Sequence, residues 1–190
     1  MLRHLPNLIT ACRIGLVVPL CWLLDGARYP AALGVVLVAG ASDALDGFLA
    51  RRHGWQSRIG GVLDPLADKL LLTAAFVFLA MAGQLPAWLA VLVVGRDLLI
   101  VSGAFAYHVL IGPFEAVPSR LSKANTAMQV AFVVLVLVRA SRWLAIPEWA
   151  WRMLVLAVAF GALASGFHYV VAWSARAWRA GCKAGDERNE

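Results

Sequence analysis

The chain has 190 residues, of which 62% are hydrophobic, and a mean hydropathy of +0.76. Soluble domains contain only about 45–50% apolar residues, so this composition argues against a soluble fold and predicts an integral membrane protein. The formal net charge is +6. The basic residues flank apolar runs and form no basic aromatic surface, which predicts contact with anionic lipid headgroups and no nucleic-acid partner.

Six apolar runs are each close to the ~20 residues that a membrane-crossing helix requires. They lie at about 7–24, 30–51, 60–82, 86–110, 120–138 and 149–173. They predict an all-α bundle of six transmembrane helices in one domain, residues 1–175, followed by a polar cytoplasmic tail, residues 176–190. The end of that tail, from Lys183, is interpreted as disordered or as an appended sequence. Arg13 interrupts the first run and no cleavage site follows, which argues against a signal peptide.

Basic residues near the ends of these runs fall unequally on the two sides of the predicted membrane. Ten lie on one side, namely Arg3, Arg51, Arg52, Arg58, Arg120, Lys123, Arg176, Arg179, Lys183 and Arg188, and four on the other, namely Arg28, Arg139, Arg142 and Arg152. Because cytoplasmic loops carry the excess of Lys and Arg, both termini and the turn after the second run are predicted to be cytoplasmic. The three cysteines are widely spaced and predict neither a disulfide framework nor a zinc site.

Four carboxylates stand at the ends of the second and third runs: Asp43, Asp46, Asp64 and Asp68. An ionised side chain at the centre of a membrane helix costs ~2.5–3.5 kcal/mol, so the four require a compensating partner. In helices, the first two share one face and the last two share another. The polar residues between Arg51 and Gly60 would fold the helices into an antiparallel hairpin, so that all four carboxylates converge. Such hard oxygen ligands suit Mg²⁺ or Mn²⁺, and two ions could clamp a phosphoryl centre.

Two other interpretations of the aspartates are open. They could form buried salt bridges with Arg13, Lys69 or Arg96, or they could line the pathway of a small cation transporter. A transporter predicts carboxylates spread through the membrane depth and broken or repeated half-helices, whereas these carboxylates cluster near one side. A purely structural membrane subunit would leave the glycines among the aspartates unexplained.

The order of residues in this stretch is specific. It runs Asp43, two residues, Asp46-Gly47, two residues, Ala50-Arg51, eight residues, Gly60, three residues, Asp64, three residues and Asp68. This resembles the signature of the CDP-alcohol phosphatidyltransferases at every fixed position. The signature covers 26 residues, Asp43 to Asp68, and the pattern of spans extends the resemblance over most of the chain.

The resemblance implies roles for individual residues. Asp43, Asp46 and Asp64 would hold the metal ions with Asp68 close to them, and Asp68 would be the general base that takes the proton from the acceptor hydroxyl. The residues that would contact the donor, CDP-diacylglycerol, are Asn7, Thr10, Gly47, Ala50, Arg51, Ser57 and Gly60. Glycines let a base or phosphate approach the backbone, and an arginine offers phosphate a planar fork of donors. The resemblance also implies a homodimer and the release of CMP.

The fourth and fifth runs contain the candidate acceptor site. Arg96 and Asp97 are adjacent and face about 100° apart on a helix, so they are predicted to be poor partners that meet different neighbours. An interhelical ion pair and substrate binding are both open for them. In the fifth run, Ser122, Asn125, Thr126 and Gln129 form a polar stripe beside Lys123. Such residues can hold helices together, although four of them with two adjacent cations favour an anion site. The predicted acceptor-binding residues are Arg96, Lys123, Thr126 and Gln129.

The same residues suggest a branch of the family. Arg96-Asp97 with Ser122-Lys123, Asn125-Thr126 and Gln129 is similar to the cardiolipin synthases of mitochondrial type. Phosphatidylglycerophosphate synthases tend to carry Arg-Glu and Gly-Lys at the first two places. The acceptor is therefore expected to be phosphatidylglycerol, giving cardiolipin, with glycerol 3-phosphate as the alternative.

Overall fold

The computed structural model describes the backbone of residues 5–53, 60–110 and 120–186 and the side chains of residues 12–43, 67–103 and 122–171. Over these ranges the chain forms six α-helices and no strand. They are α1 (Leu5–Asp25), α2 (Tyr29–His53), α3 (Gly60–Met81), α4 (Ala87–Leu110), α5 (Arg120–Ala140) and α6 (Glu148–Asp186). The prediction of an all-α chain with six helices is confirmed.

The helices pack as a closed ring. Around the ring the order is α1, α2, α5, α6, α4 and α3, and α3 also contacts α5 across the middle. Within the described ranges, α2 and α3 do not pack directly against each other; α1 packs against both of them. The antiparallel hairpin of α2 and α3 therefore stays a prediction: in this part of the chain the two helices meet through α1, and the turn, residues 54–59, lies outside the described residues.

Three connections between helices are tight turns on one side of the bundle. After α1, α3 and α5 a residue takes a positive φ: Ala27 at 52°, Gly83 at 69° and Arg142 at 60°. At each, the next residue donates a backbone hydrogen bond to a carbonyl five residues back, as from Arg28 to Leu23 at 2.8 Å. This left-handed helix cap reverses the chain within a few residues. It makes α1 and α2, α3 and α4, and α5 and α6 antiparallel neighbours in sequence.

An aromatic cluster fills the half of the bundle next to these turns. The rings of Phe76 and Phe132 stack with centroids 6.2 Å apart, and those of Phe132 and Trp151 stack at 5.4 Å. The Arg139 guanidinium lies over the Trp151 ring, 4.2 Å from its centroid. Stacked aromatic pairs add about 0.5–1.5 kcal/mol beyond the area they bury. The cluster joins α3, α5 and α6 into a packed apolar end.

The outside of the bundle is apolar as well. Val18, Met81 and Phe160 are each about three-quarters exposed, and large exposed apolar side chains occur on all six helices. So much exposed apolar surface marks a lipid or protein contact. Among the described residues, two segments are long and apolar enough to cross a membrane, Ser122–Ala140 and Glu148–Val171. Six membrane crossings stay a prediction.

The last helix is longer than expected. It has 39 residues, which is ~58 Å of helix, against about 30 Å of bilayer hydrocarbon. It therefore continues beyond any membrane-crossing part and into the predicted polar tail. The prediction of disorder from Lys183 is wrong as far as Asp186, and residues 187–190 lie outside the described part.

Candidate functional site

A buried arginine on α1 joins aspartates from two other helices. Arg13 Nη2 lies 3.0 Å from Asp43 Oδ1 on α2, and Arg13 Nη1 lies 2.9 Å from Asp68 Oδ1 on α3. The arginine side chain is only 3% exposed, whereas the two carboxylates are 49% and 41% exposed. The structure thus brings together the first and last aspartates of the predicted acidic site, which are 25 residues apart in the sequence.

The position of Arg13 follows from the cost of burying a charge. A guanidinium in an apolar helix bundle is strongly unfavourable unless acidic groups lie against it. The helices α2 and α3 supply one carboxylate each, and both carboxylates remain open to the surroundings on their other side. We call Arg13, Asp43 and Asp68 the acidic site.

The other two aspartates of the signature lie on the same helices. Asp46 is three residues after Asp43 on α2, and Asp64 is four residues before Asp68 on α3, so the helical backbone places each on the face of its described neighbour. The side chains of Asp46 and Asp64 lie outside the described residues. Among the described side chains, no three His, Cys, Asp or Glu residues are grouped as a metal site. The four-carboxylate cluster stays a prediction.

The predicted donor-binding residues are placed by the backbone alone. Asn7 and Thr10 are in the first turns of α1, Gly47, Ala50 and Arg51 are in the last turns of α2, and Gly60 begins α3. A 3.3 Å hydrogen bond from the Gln84 amide nitrogen, in the turn after α3, reaches the hydroxyl of Tyr29, the first residue of α2. The end of α3 thus lies near the start of α2, and these two helices run antiparallel. All six positions therefore lie at the acidic end of the bundle, and Ser57 lies outside the described residues.

A second charged cluster links four helices. Lys69 Nζ on α3 lies 3.3 Å from Asp97 Oδ1 on α4, and Arg96 Nη2 donates to Ser122 Oγ on α5 at 2.9 Å and to Ser165 Oγ on α6. Arg96 also pairs directly with Asp97. The prediction that these neighbours are poor partners is wrong, because the arginine side chain is long enough to reach the adjacent carboxylate. The prediction that each meets a different neighbour as well is confirmed.

The other predicted acceptor residues make no described polar contact with this arginine. Lys123 is exposed, the Thr126 hydroxyl donates to the Ser122 carbonyl at 3.1 Å, and Gln129 is 1% exposed. Within the described side chains, no hydrogen bond or ion pair connects Arg96 with Lys123, Thr126 or Gln129. The structure brings Ser122 to Arg96. A single acceptor pocket stays a prediction.

Part of the polar stripe of α5 lies in the protein interior. Asn125 and Gln129 are buried, and their side-chain amides have no hydrogen-bond partner in the part of the chain that the structure describes. Gly161 on α6 lies against Asn125 and Met128: a Cβ there would overlap Met128 and come within 2.8 Å of Asn125 Oδ1. Glycine at this position therefore lets α5 and α6 approach closely.

Sequence reasoning missed one residue of these clusters and left another open. Ser165 was missed, although it is the only serine or threonine between residues 149 and 173 and is fully buried. Arg13 was one of three possible salt-bridge partners of the aspartates, and it meets two of them. In both cases the signal was a polar residue within an apolar helix, which marks an internal partner.

The fold and the acidic site define a helical, membrane-type protein with carboxylates gathered at one end. The profile of the CDP-alcohol phosphatidyltransferase family matches residues 3–167. The chain belongs to this family of enzymes. This match favours the enzyme interpretation over the cation transporter and the structural subunit.

Individual relatives carry two kinds of name. The chain is 35% identical over 145 residues to human cardiolipin synthase (CMP-forming), covering 68% of this chain and 48% of that protein. It is 32% identical over 178 residues to cardiolipin synthase (CMP-forming) of Streptomyces coelicolor, covering 89% and 77%. It is 35% identical over 142 residues to the CDP-diacylglycerol–glycerol-3-phosphate 3-phosphatidyltransferase of Pseudomonas fluorescens, covering 70% and 71%. The match spans about half the length of the human relative.

Proposed function

We propose that this chain transfers a phosphatidyl group from CDP-diacylglycerol to a hydroxyl group of a glycerol-based acceptor and releases CMP. The single observation that carries the proposal is the meeting of Asp43 and Asp68 on Arg13. These aspartates are the first and last of the signature, and their meeting supports a single site built from its two ends. The family match over residues 3–167 supports the same reaction class.

The proposed acceptor is phosphatidylglycerol, and the product is cardiolipin. Support comes from the pattern of Arg96-Asp97 and Ser122-Lys123 and from the human and Streptomyces relatives, which are named cardiolipin synthases. The second candidate acceptor is glycerol 3-phosphate, because the Pseudomonas relative is named for that substrate. Both acceptors carry a phosphate, for which Lys123, Arg96, Thr126 and Gln129 remain the proposed contacts.

The acidic site fits a divalent cation. Two carboxylates, 49% and 41% exposed, face one guanidinium, and Asp46 and Asp64 lie within one helical turn of them in the sequence. Half-exposed carboxylate oxygens are the ligands that Mg²⁺ and Mn²⁺ prefer. We propose that Asp43, Asp46 and Asp64, with Asp68 close by, hold two such ions. When bound, the ions supply charge neutralisation at the diphosphate.

The chain's own groups then handle the donor, the acceptor and the proton. The acceptor hydroxyl oxygen forms a bond to the phosphorus that carries diacylglycerol, the bond from that phosphorus to the CMP oxygen breaks, and Asp68 takes the hydroxyl proton. The side chain of Asp68 is 41% exposed, so a substrate hydroxyl can reach it. Proper alignment of donor and acceptor can contribute ~7–11 kcal/mol to such a reaction. Gly47, Gly60 and Arg51 are proposed to position the donor.

The proposed setting is the inner membrane of a bacterial cell, crossed several times, with the acidic end and both termini in the cytoplasm. The excess of basic residues on that side and the apolar outer surface of the bundle support it. The water-soluble CMP would then leave directly into the cytoplasm. We further propose a homodimer.

The test is a product assay with purified full-length protein. Labelled CDP-diacylglycerol is incubated in separate reactions with phosphatidylglycerol, glycerol 3-phosphate, inositol phosphate and serine, and the lipids are separated by chromatography. We expect labelled cardiolipin and CMP from the first reaction. Labelled phosphatidylglycerophosphate would move the chain to the second candidate, and no labelled product from any acceptor would refute the transferase.

Two controls connect that activity to the acidic site. Asp68→Asn keeps the shape of the side chain and removes the base, so turnover should fall by about 10²–10⁴-fold while metal-dependent donor binding stays measurable. EDTA should stop product formation, and added Mg²⁺ or Mn²⁺ should restore it. Full activity of Asp68→Asn would remove this residue as the base.

A further inference from the structure

Arg13 has the lowest exposure of the charged side chains that the structure describes, at 3%. Its described polar contacts are Asp43 and Asp68, while Nε and Nη1 have no hydrogen-bond partner among the described residues. The approach of Nη1 to Asp68 is therefore an ion pair at 2.9 Å without an aligned hydrogen bond. Charge attraction from two carboxylates, more than hydrogen-bond geometry, holds this guanidinium in place.

The second buried arginine has a different set of partners. Arg96 contacts one carboxylate and two serine hydroxyls, so its partners are mostly neutral and come from surrounding helices. Arg13 instead contacts two carboxylates, both about half-exposed, on α2 and α3. Those helices do not touch each other in the described ranges, and α1 packs against both.

Two carboxylates brought to one place repel each other unless a cation lies between them. We propose that Arg13 is a positioning residue that acts as a built-in counter-cation: it holds Asp43 and Asp68 together before a divalent ion binds, and its charge limits how tightly that ion binds. The inference rests on the proposed function only in treating the aspartates as cation ligands. It assigns Arg13 no contact with the reacting atoms.

The proposal predicts two opposite effects of removing the charge. Without Arg13 the metal-free protein should be less stable, because the carboxylates lose their shared partner. A divalent ion should bind more tightly, because the positive charge that repels it is gone; at separations of several ångströms this is worth about three- to thirtyfold in affinity. An arginine needed only for packing would lower stability with no gain in metal affinity.

The experiment measures Mn²⁺ binding to the full-length protein in lipid nanodiscs without nucleotide. Free Mn²⁺ is followed by electron paramagnetic resonance, and thermal unfolding is recorded with and without Mn²⁺. The variants are Arg13→Met, Arg13→Lys and the matched control Arg139→Met. Arg139 is a partly buried arginine that also forms an ion pair, at 3.7 Å from Glu148, but it lies at the opposite end of the bundle.

We expect Arg13→Met to unfold at a lower temperature than wild type without metal, to bind Mn²⁺ about three- to thirtyfold more tightly, and to gain more stability from saturating Mn²⁺. Arg139→Met should bind Mn²⁺ like wild type. Arg13→Lys keeps the charge but cannot span two carboxylates, so it should bind Mn²⁺ like wild type and unfold at a lower temperature without metal. Because Arg13→Lys retains a cation, its stability without metal tests the proposal if Arg13→Met does not fold.

Unchanged or weaker Mn²⁺ binding by Arg13→Met would overturn the proposal, as would an affinity gain of the same size in Arg13→Lys or Arg139→Met. If Arg13→Met does not fold, wild-type stability of metal-free Arg13→Lys would overturn it. Its failure is separable from failure of the proposed function. A wild-type protein that makes labelled product while Arg13→Met binds Mn²⁺ no more tightly refutes only the role of Arg13. A protein that makes no product while the Mn²⁺ effects hold refutes only the proposed reaction.

Discussion

Substituting Asp97 by asparagine should reveal how strongly the second charged cluster holds the bundle together. The change keeps the shape of the side chain and removes its charge, which leaves the Arg96 guanidinium, whose side chain is 5% exposed, with only neutral partners on Ser122 and Ser165. Removing one partner of a buried pair costs ~3–5 kcal/mol because the other charge is left uncompensated. Lys69 is 30% exposed and can turn towards water or a headgroup, so we expect a loss of about 3 kcal/mol, at the lower end of that range.

The matched control is Glu148→Gln. Glu148 is 61% exposed, and its contacts with Arg139 and Arg152 are 3.7 Å and 3.5 Å, so its loss should cost at most ~1 kcal/mol. Since 1 kcal/mol shifts the unfolding temperature of a chain of this size by about 2–4 °C, Asp97→Asn should unfold some 6–12 °C below wild type and Glu148→Gln less than about 4 °C below it. Tryptophan fluorescence during heating in one detergent measures both. Equal shifts would refute the claim that burial, more than the number of ion pairs, sets the contribution.

Two further predictions concern the contact between α5 and α6 and the polar stripe of α5. Gly161→Val should destabilise the protein by about 1–3 kcal/mol, because its side chain would overlap Met128 and Asn125. Gly34→Ala, on an open face of α2, should instead raise stability by roughly 0.5–1 kcal/mol. Thermal unfolding of both variants checks this, and a loss of the same size in both would contradict the close-packing argument. Lys123→Ala should raise the KM for a phosphate-bearing acceptor severalfold and leave the KM for CDP-diacylglycerol unchanged in steady-state assays. A change confined to the donor would move Lys123 to the other substrate.

The sequence predicted the helices well because their signal is local. Each apolar run near ~20 residues became a helix, and the bounds agree within a few residues except at the end of α6. There the composition changes from apolar to polar after Trp173, which was interpreted as the end of the last membrane span, with disorder predicted from Lys183. Polarity determines whether a helix is exposed, while the alanines and arginines of this segment are good helix formers. The helix therefore continues to Asp186.

The candidate site was only partly predictable from the sequence, because its residues come together through packing between distant helices. Spacing along α2 and α3 indicated that Asp43 and Asp68 should face a common place, and they do. Spacing within two helices cannot indicate which third helix packs against them, so the role of Arg13 on α1 depended on tertiary packing. The same limit applies to Ser165 on α6. The Arg96–Asp97 pair was judged from backbone angles alone, and the length of an arginine side chain outweighed the 100° between the residues.

The distribution of charge along the bundle favours a site that works at one face of a membrane. The interhelical ion pairs of Arg13 and of Lys69 lie in the half that contains the acidic site, while the next half is filled by the stacked rings of Phe76, Phe132 and Trp151. A transporter needs polar groups through the whole depth, whereas the stacked rings of this half are apolar. An enzyme of the proposed kind needs the opposite: a packed apolar end that fixes the helices, and open carboxylates where a lipid headgroup and a water-soluble nucleotide can meet. The apolar half is thus the part that allows α1, α2 and α3 to hold charged groups close together at the other end.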